Sequence, residues 1–354
     1  MLNILSLGAG RQSSYLFHAS GRGILPKLDC AIFADTGWEP DEVYGHLQWL
    51  IDEWSPEYGI PIHVVGTKNI KDDALISQVR GVKTEGRRWG SMPLRTKAVW
   101  NEGNAGLLDM EIEKLKSEGK STSRLESVLA RVKAGEDVVQ DGMITRQCTS
   151  EYKIQEIEKF IKTEILGLEI NARWPKHQVA RKWYGISQDE WTRMRAPKLN
   201  RKEKVEVGND LFGEPVIEER SVERIIRWHS NVYYLCDTEW YADGDKCRRR
   251  DLGTWPMTAQ DCINWHLENG LPAPPESACK GCPYRSNESW RKLRDESPEE
   301  WEEVCEFDDQ IRNCGGMRGE VFLHKQLVPL RLANIDEEDE DGGLFPCDGG
   351  VCGV

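Results

Sequence analysis

No stretch of this 354-residue chain is apolar over the length a membrane span requires, and Met1 leads into an apolar strand rather than a charged-then-apolar signal. The protein is therefore expected in the cytoplasm, with no membrane partner. Histidine is scarce: seven occur, none in an HExxH or other paired spacing, so each reads as structural rather than as a metal ligand. A cationic excess is missing as well. Lys and Arg number 47 against 60 Asp and Glu, a net charge of −13, which argues against a basic coat. The eleven cysteines are an odd count in a chain long enough to bury a sizeable core, which argues against a disulfide framework. Thiol, metal or redox chemistry is expected of them instead.

What is present begins at the amino terminus. From Leu2 an apolar run, with Asn3 to Leu7 as its strand, breaks into Gly8-Ala9-Gly10-Arg11-Gln12-Ser13-Ser14 and resumes as Tyr15-Leu16-Phe17. This reads as a buried strand, a tight turn and the first turn of a helix. Exposed amides and the helix dipole at such a corner favour an anion, phosphate or sulfate. The turn is neither GxxxxGK[ST] nor GxGxxG. Asp29 to Ala34 forms a second apolar strand, ending in Asp35-Thr36-Gly37-Trp38-Glu39-Pro40. In a parallel sheet the two turns line one crevice at the carboxyl ends of the strands.

Asp41 to Trp54 has helical spacing and Pro61 to Val65 is a third strand, so alternating strands and helices predict an α/β fold with a parallel sheet and right-handed crossovers. Three regions are expected: 1–195 as the α/β domain that carries the anion turn, with a helical insertion at 67–142, 196–250 as an insertion or lid, and 251–354 as a helical region bearing cysteines. Met110 to Lys133 reads as a solvated helix, and Lys83 to Lys97 as a mobile loop over the crevice. Lys182 to Ser187 reads as a further strand that leads into a helix from Gln188, which sets Ser187 and Arg193 at the crevice edge. Basic residues cluster at 83–97, 195–204 and 246–250, beside Trp89, Trp100, Trp183 and Trp191. Cations interleaved with aromatics suit stacked bases, although most tryptophans are core.

Cys279-Lys280-Gly281-Cys282-Pro283 has the spacing of two thiolates on one metal. With Cys347 and Cys352 as a second pair, zinc remains open. Cys148, at an expected helix start beside the crevice, favours a 4Fe–4S cluster on Cys148, Cys279, Cys282 and Cys352, with Cys347 in reserve. Cys30, Cys262 and Cys305 read as core.

Several segments together resemble the superfamily of PAPS reductases and PP-loop ATP pyrophosphatases, in its phage- and prophage-borne branch. They are LSLGAGRQSS, IFADTGWEPDEVY, RQCTSEYKI, WYGISQDEWTRM, SACKGCPYRSNESWRKL and the terminal CDGGVCGV, in consistent order from residue 5 to residue 354. The resemblance implies a five-stranded parallel sheet with an adenine nucleotide, ATP or PAPS, over the first turn. Gly8, Gly10, Arg11, Gln12, Ser13 and Ser14 would hold its phosphate or sulfate. Asp35, Thr36, Gly37, Glu39 and Ser187 would line the nucleotide, and Arg193 would neutralise an anionic group. Cys148 and Asp35 would act with Arg193 in the chemistry. The sequence departs from the family at Thr149, where adenylylsulfate reductases carry a second cysteine, and at Gly8 and Gln12, where ATP pyrophosphatases carry serine and an acid. The latter bears on Mg2+, the ion that would accompany ATP.

The function expected is nucleotide-dependent sulfur transfer, with a nucleic acid, tRNA or DNA, as acceptor. A cysteine desulfurase or thiol reductant would supply sulfur or electrons. Reduction of PAPS or adenylylsulfate to sulfite is the alternative, and a non-catalytic nucleotide- or nucleic-acid-binding module is the third reading.

Overall fold

The computed structural model describes residues 1–78, 88–89, 92–144, 147–209, 215–313 and 319–338, with side chains described for all of these except 77–78, 88–89, 201–209 and 215–220. The chain divides into two compact units interleaved in sequence. One comprises Met1–Thr67 and Thr149–Ala278, the other the described parts of Lys68–Cys148 and Cys279–Leu344. These boundaries differ from the sequence-based division at 195 and 250, because the sheet of the first unit draws strands from both sides of 195 and residues beyond 250, through Ala278, belong to the same unit.

The first unit is α/β. Its strands β1 (Leu2–Leu7), β2 (Cys30–Ala34), β3 (Ile62–Val65), β4 (Ala180–Tyr184), β5 (His229–Tyr233), β6 (Thr238–Asp243) and β7 (Lys246–Arg250) form one sheet in the order β7-β6-β5-β4-β1-β2-β3. Seven strands stand where five were expected. The pairings β2–β3, β1–β2, β1–β4 and β4–β5 are parallel, whereas β5–β6 and β6–β7 are antiparallel. Residues 229–250, expected in an insertion or lid, are therefore part of the sheet. The remainder of that stretch forms a long two-stranded ribbon, Lys198–Asn209 against Pro215–Ile225. Alternating charge hid these strands, since antiparallel strands at a sheet edge carry polar residues on one face.

Apolar burial fixes which helix lies on which face. On one face α1 (Arg11–Gly21), α2 (Asp41–Trp49) and α4 (Ala259–Glu268) cover Leu5, Leu7, Ala31, Phe33 and Trp183. On the other, Ile157 of α3 (Gln155–Phe160) and Ile161 just beyond it pack on Ile4, Ile32 and Trp228. The start of α4 is set by a reciprocal cap: the Asp261 amide donates to Thr258 Oγ1 at 3.1 Å and the Thr258 amide to Asp261 Oδ2 at 2.8 Å. At the antiparallel end, buried Glu239 of β6 accepts from Ser230 of β5 at 2.6 Å, Arg181 of β4 at 3.0 Å and Arg250 of β7 at 2.8 Å. Burial pushes this carboxyl up, but those donors outweigh it and the net shift is downward. One carboxylate thus ties four neighbouring strands.

In the second unit, Arg95–Trp100 pairs antiparallel with Val138–Met143 and with Glu320–Phe322. Arg95 and Lys97, expected in a mobile loop, are strand residues, while 83–87 and 90–91 lie outside the described residues. The expected solvated helix is a hairpin of two, Ala105–Ser117 and Ser123–Lys133, whose Leu108, Ile112, Leu129 and Val132 bury against Trp100 and Val138. The charged surfaces of both helices masked this narrow apolar stripe. Helices Asn287–Glu296 and Pro298–Ile311 complete the unit. Buried Asp308 accepts the amides of Leu323 at 2.9 Å and Leu330 at 3.0 Å, which fastens the following chain to the second of these helices. No described helix is long and apolar enough to cross a membrane.

Beneath α1 lies a cage of rings. His18 meets Trp49, Trp54, Tyr58 and His266 at centroid distances of 5.0–5.8 Å. Burial holds His18 down to about 3 and His46 to about 4, and lowers His266 too. These imidazoles are neutral in the fold but take up protons in the unfolded chain near pH 6.5. Their contribution is therefore complete above pH 6.5 and is lost as pH falls toward 4, by up to about 1.4 kcal/mol per pH unit for each group. Thermal melting is expected to show a midpoint that drops from pH 7 to pH 5, less steeply in His46→Gln. A midpoint constant over that range, or one equally steep in the variant, would contradict this.

Candidate functional site

The strand order reverses between β1 and β4, since the chain proceeds from β1 to β2 and β3 on one side and to β4 and β5 on the other. Loops that leave the carboxyl ends at such a reversal part from one another and open a crevice. Register places three loop starts at one edge: Leu7 lies opposite Phe33, and Ser6 opposite Tyr184. The turns after β1, β2 and β4 are those expected to hold the ligand.

After β1, Gly8, Ala9 and Gly10 turn the chain into α1. Ser13 Oγ accepts from the Gly8 and Gly10 amides at 3.1 and 3.3 Å, so this hydroxyl, expected on the anion, closes the turn. Ala9 is fully buried and held at φ 50°, a left-handed conformation that costs a non-glycine residue about 1–2 kcal/mol. Strain of this kind concentrates at ligand sites. The first-turn amides of α1 have no acceptor within the helix. Gly10 is a close approach: a Cβ there would lie 2.6 Å from Ser277 Cβ and 3.4 Å from the Pro275 carbonyl, so the 275–277 segment packs directly against Gly10. Ser277 Oγ and Arg11 Nε are both buried without a hydrogen-bond partner. Ser14, expected to face the anion, instead turns inward, its hydroxyl 2.9 Å from His46 Nε2. Position 14 falls on the inner face of α1, which the turn glycines did not reveal.

After β4, Gly185 lets the chain pass over α1. A Cβ on it would lie 2.9 Å from the Ser13 amide nitrogen and 3.2 Å from Gln12 Cβ. Gln12 Nε2 donates to Ser187 Oγ at 3.2 Å and to Glu190 Oε2 at 3.3 Å. Glu190 also accepts from the buried Arg193 guanidinium. Gln12, Ser187 and Arg193 are thus gathered, with Glu190, unforeseen in the sequence, as the hub. Its spacing of three from Arg193 was the available signal. The charge of Arg193 is matched by this carboxylate. The expected helix from Gln188 is a short 3₁₀ stretch, Gln188–Arg193, kinked at Glu190.

After β2, Asp35 Oδ1 accepts from the Gly37 amide and from Tyr44 Oη, each at 2.7 Å. Burial, with the hydrogen bond to Asp35 next, raises the Tyr44 hydroxyl well above its ordinary value, so it stays a donor. Thr36 Oγ1 donates to buried Glu39 at 3.0 Å, and Lys153 Nζ stands 3.7 Å from the same carboxylate oxygen. Asp35, Thr36, Gly37 and Glu39 therefore form one braced turn. Tyr44 and Lys153, which brace it from helical segments, carried no signal of that role.

The cysteines are distributed otherwise. Cys148, Cys279 and Cys282 all fall in the second unit. The Cys282 amide donates to the Cys279 carbonyl at 3.1 Å, and Arg285 Nε donates to the carbonyls of Cys279 and Lys280, which fixes the CxxC as a tight turn. Lys280 pairs with Glu300 at 2.8 Å and Glu303 at 3.2 Å. Among the described residues no three His, Cys, Asp or Glu side chains are placed to hold a metal ion. Cys352 and Cys347 lie outside the described residues. The described side chains alone do not compose a cluster site. Cys30, Cys262 and Cys305 are buried as core residues. Trp100 and Trp183, considered for base stacking, are buried too, and the Trp89 side chain is not among those described.

Gly185→Ala tests the close approach of β4 to α1. The added methyl group must displace the first helical turn, and a loss of about 1–3 kcal/mol in denaturant unfolding is expected. Wild-type stability in that variant would contradict the packing described. Comparisons with protein-family models, with curated proteins and with solved structures return no match.

Proposed function

We propose that the first unit binds the oxyanion end of an adenine nucleotide, ATP or PAPS, at the turn between β1 and α1. The reading rests on one observation above the others. Two buried polar atoms without partners, Arg11 Nε and Ser277 Oγ, flank a strained glycine turn at the point where the strand order reverses. Leaving such groups unmatched costs about 1–3 kcal/mol each, which a bound anion would recover. The first-turn amides of α1 supply further donors.

In this reading Gln12 orients the Ser187 hydroxyl, and Glu190, its charge offset by Arg193, holds Gln12 in place beside the anion. Asp35, held by Tyr44 and the Gly37 amide, presents its second oxygen as an acceptor for a ribose hydroxyl, or for Mg2+ where the nucleotide is ATP. The associated reaction is sulfur transfer. An acceptor oxygen attacks the α-phosphorus of ATP with release of pyrophosphate, and a sulfur nucleophile then displaces AMP. A nucleic acid is the proposed acceptor and a desulfurase-borne persulfide the proposed source of sulfur: its outer sulfur displaces AMP, and a thiol reductant then cleaves the resulting S–S bond, leaving that sulfur on the acceptor and the carrier in a disulfide with the thiol. The 4Fe–4S cluster on Cys148, Cys279, Cys282 and Cys352 is proposed from the cysteine spacing, and when bound it would supply electron or sulfur chemistry. Reductive release of sulfite from PAPS is the second reading, favoured by Gln12 in place of the acid that ATP pyrophosphatases carry.

Calorimetric titration with ATP and with PAPS is expected to give saturable binding, weakened about tenfold or more in Arg11→Ala, as for loss of a charge-assisted hydrogen bond. Absence of binding to both nucleotides would overturn the proposal. Pyrophosphate release from ATP, or sulfite release from PAPS with a thiol reductant, separates the two reactions. About four irons and four sulfides per chain after anaerobic purification would support the cluster. Stoichiometric zinc would redirect the cysteines to a structural site.

A further inference from the structure

Of the tryptophans whose side chains are described, two are exposed, Trp191 at 60 % and Trp255 at 89 %. Scattered apolar side chains on a surface need no explanation. These two lie on segments joined by a backbone hydrogen bond, from the Gln188 amide to the Met257 carbonyl at 2.8 Å, three and two residues away from the respective rings. The same Gln188–Arg193 stretch builds the crevice edge. Glu190, adjacent to Trp191, reaches Gln12 at the mouth of α1, and Arg193, two residues on, is buried against Glu190. Between two residues turned inward, Trp191 is left with most of its indole in solvent. Arg195 follows, exposed, its guanidinium folded back at 2.6 and 2.9 Å onto the carbonyls of Thr192 and Met194.

We propose that Trp191 is a stacking platform for a nucleobase at the rim of the anion site, with Arg195 supplying positive charge beside it. This rests on the nucleotide reading given above. The chemistry that fits is a flat aromatic group carried by a phosphate. An indole offers its π face to any base, while a nearby guanidinium favours both the base and its phosphate. The base has two possible sources, the nucleotide bound at the turn or a single-stranded nucleic acid that reaches the site as acceptor.

The test titrates wild type, Trp191→Ala and Trp191→Phe with ATP, with inorganic tripolyphosphate as the same anion without a base, and with a short single-stranded oligonucleotide. If the base is that of the nucleotide, Trp191→Ala weakens ATP about 5- to 100-fold, leaves tripolyphosphate unchanged, and Trp191→Phe restores most of the affinity. If the base belongs to a nucleic acid, the same loss and rescue appear with the oligonucleotide and not with ATP. Unchanged affinity of Trp191→Ala for both ATP and oligonucleotide, with ATP still bound, overturns the platform and leaves the nucleotide reading intact. Failure of wild type to bind ATP and tripolyphosphate overturns the nucleotide reading, and the platform then stands or falls on the oligonucleotide alone. The exposed position of Trp191 makes an unchanged melting temperature the expected control.

Discussion

The site depends on the passage of the chain after β4 across the first turn of α1. Gly185 rests against the Ser13 amide and Gln12 so closely that a single methyl group would intrude. That contact brings Ser187 and Glu190 to Gln12 and joins the loop after β4 to the loop after β1. The glycine turn then has a wall on either side, Pro275–Ser277 over Gly10 and the Gln188–Arg193 stretch beside Gln12. Parallel pairing of β1 with β4 fixes the height of the contact, because Ser6 and Tyr184 lie in register.

Polar groups at this edge fall into two kinds. Ser13, Ser14, Gln12, Glu190, Arg193 and Asp35 have partners within the protein and act as framework. Arg11 Nε and Ser277 Oγ are buried and unmatched. Buried polar atoms in folded proteins are mostly satisfied; His18 Nε2 and Trp54 Nε1 in the ring cage are unmatched as well, and what sets Arg11 Nε and Ser277 Oγ apart is their place at the glycine turn. The proposed oxyanion would complete their bonding without disturbing the framework.

The elements legible in the sequence were those with clean periodicity. Asn3 to Leu7 and Asp29 to Ala34 read as strands bounded by turn residues, and the structure has Leu2–Leu7 and Cys30–Ala34 as strands. Thr258 to Leu267 has helical spacing and falls on α4, where the structure adds the Thr258–Asp261 cap. At the site, the turns at Gly8–Gly10 and Asp35–Glu39 and the residues Ser187 and Arg193 fall on one sheet edge, as parallel-sheet topology requires. Strands β6 and β7 were hidden because Glu239, Arg248 and Arg250 look like a solvated loop until their cross-strand partners are known. Ser277 was hidden for a related reason, as its importance comes from contact with a glycine 267 positions earlier, which no local pattern encodes. Ser14 shows the opposite error. A hydroxyl beside a glycine turn looks like a ligand group, but helical geometry rotates it toward His46.

The proposed oxyanion-bearing nucleotide would rest on the turn at 8–13 against the 275–277 segment. Amide hydrogen exchange followed by mass spectrometry, with and without saturating ATP or PAPS, tests this placement most directly. Slowed exchange is expected in peptides covering Gly8 to Ser13 and Glu276 to Ala278. Protection confined to other segments, or none in either peptide while nucleotide is bound, would contradict it.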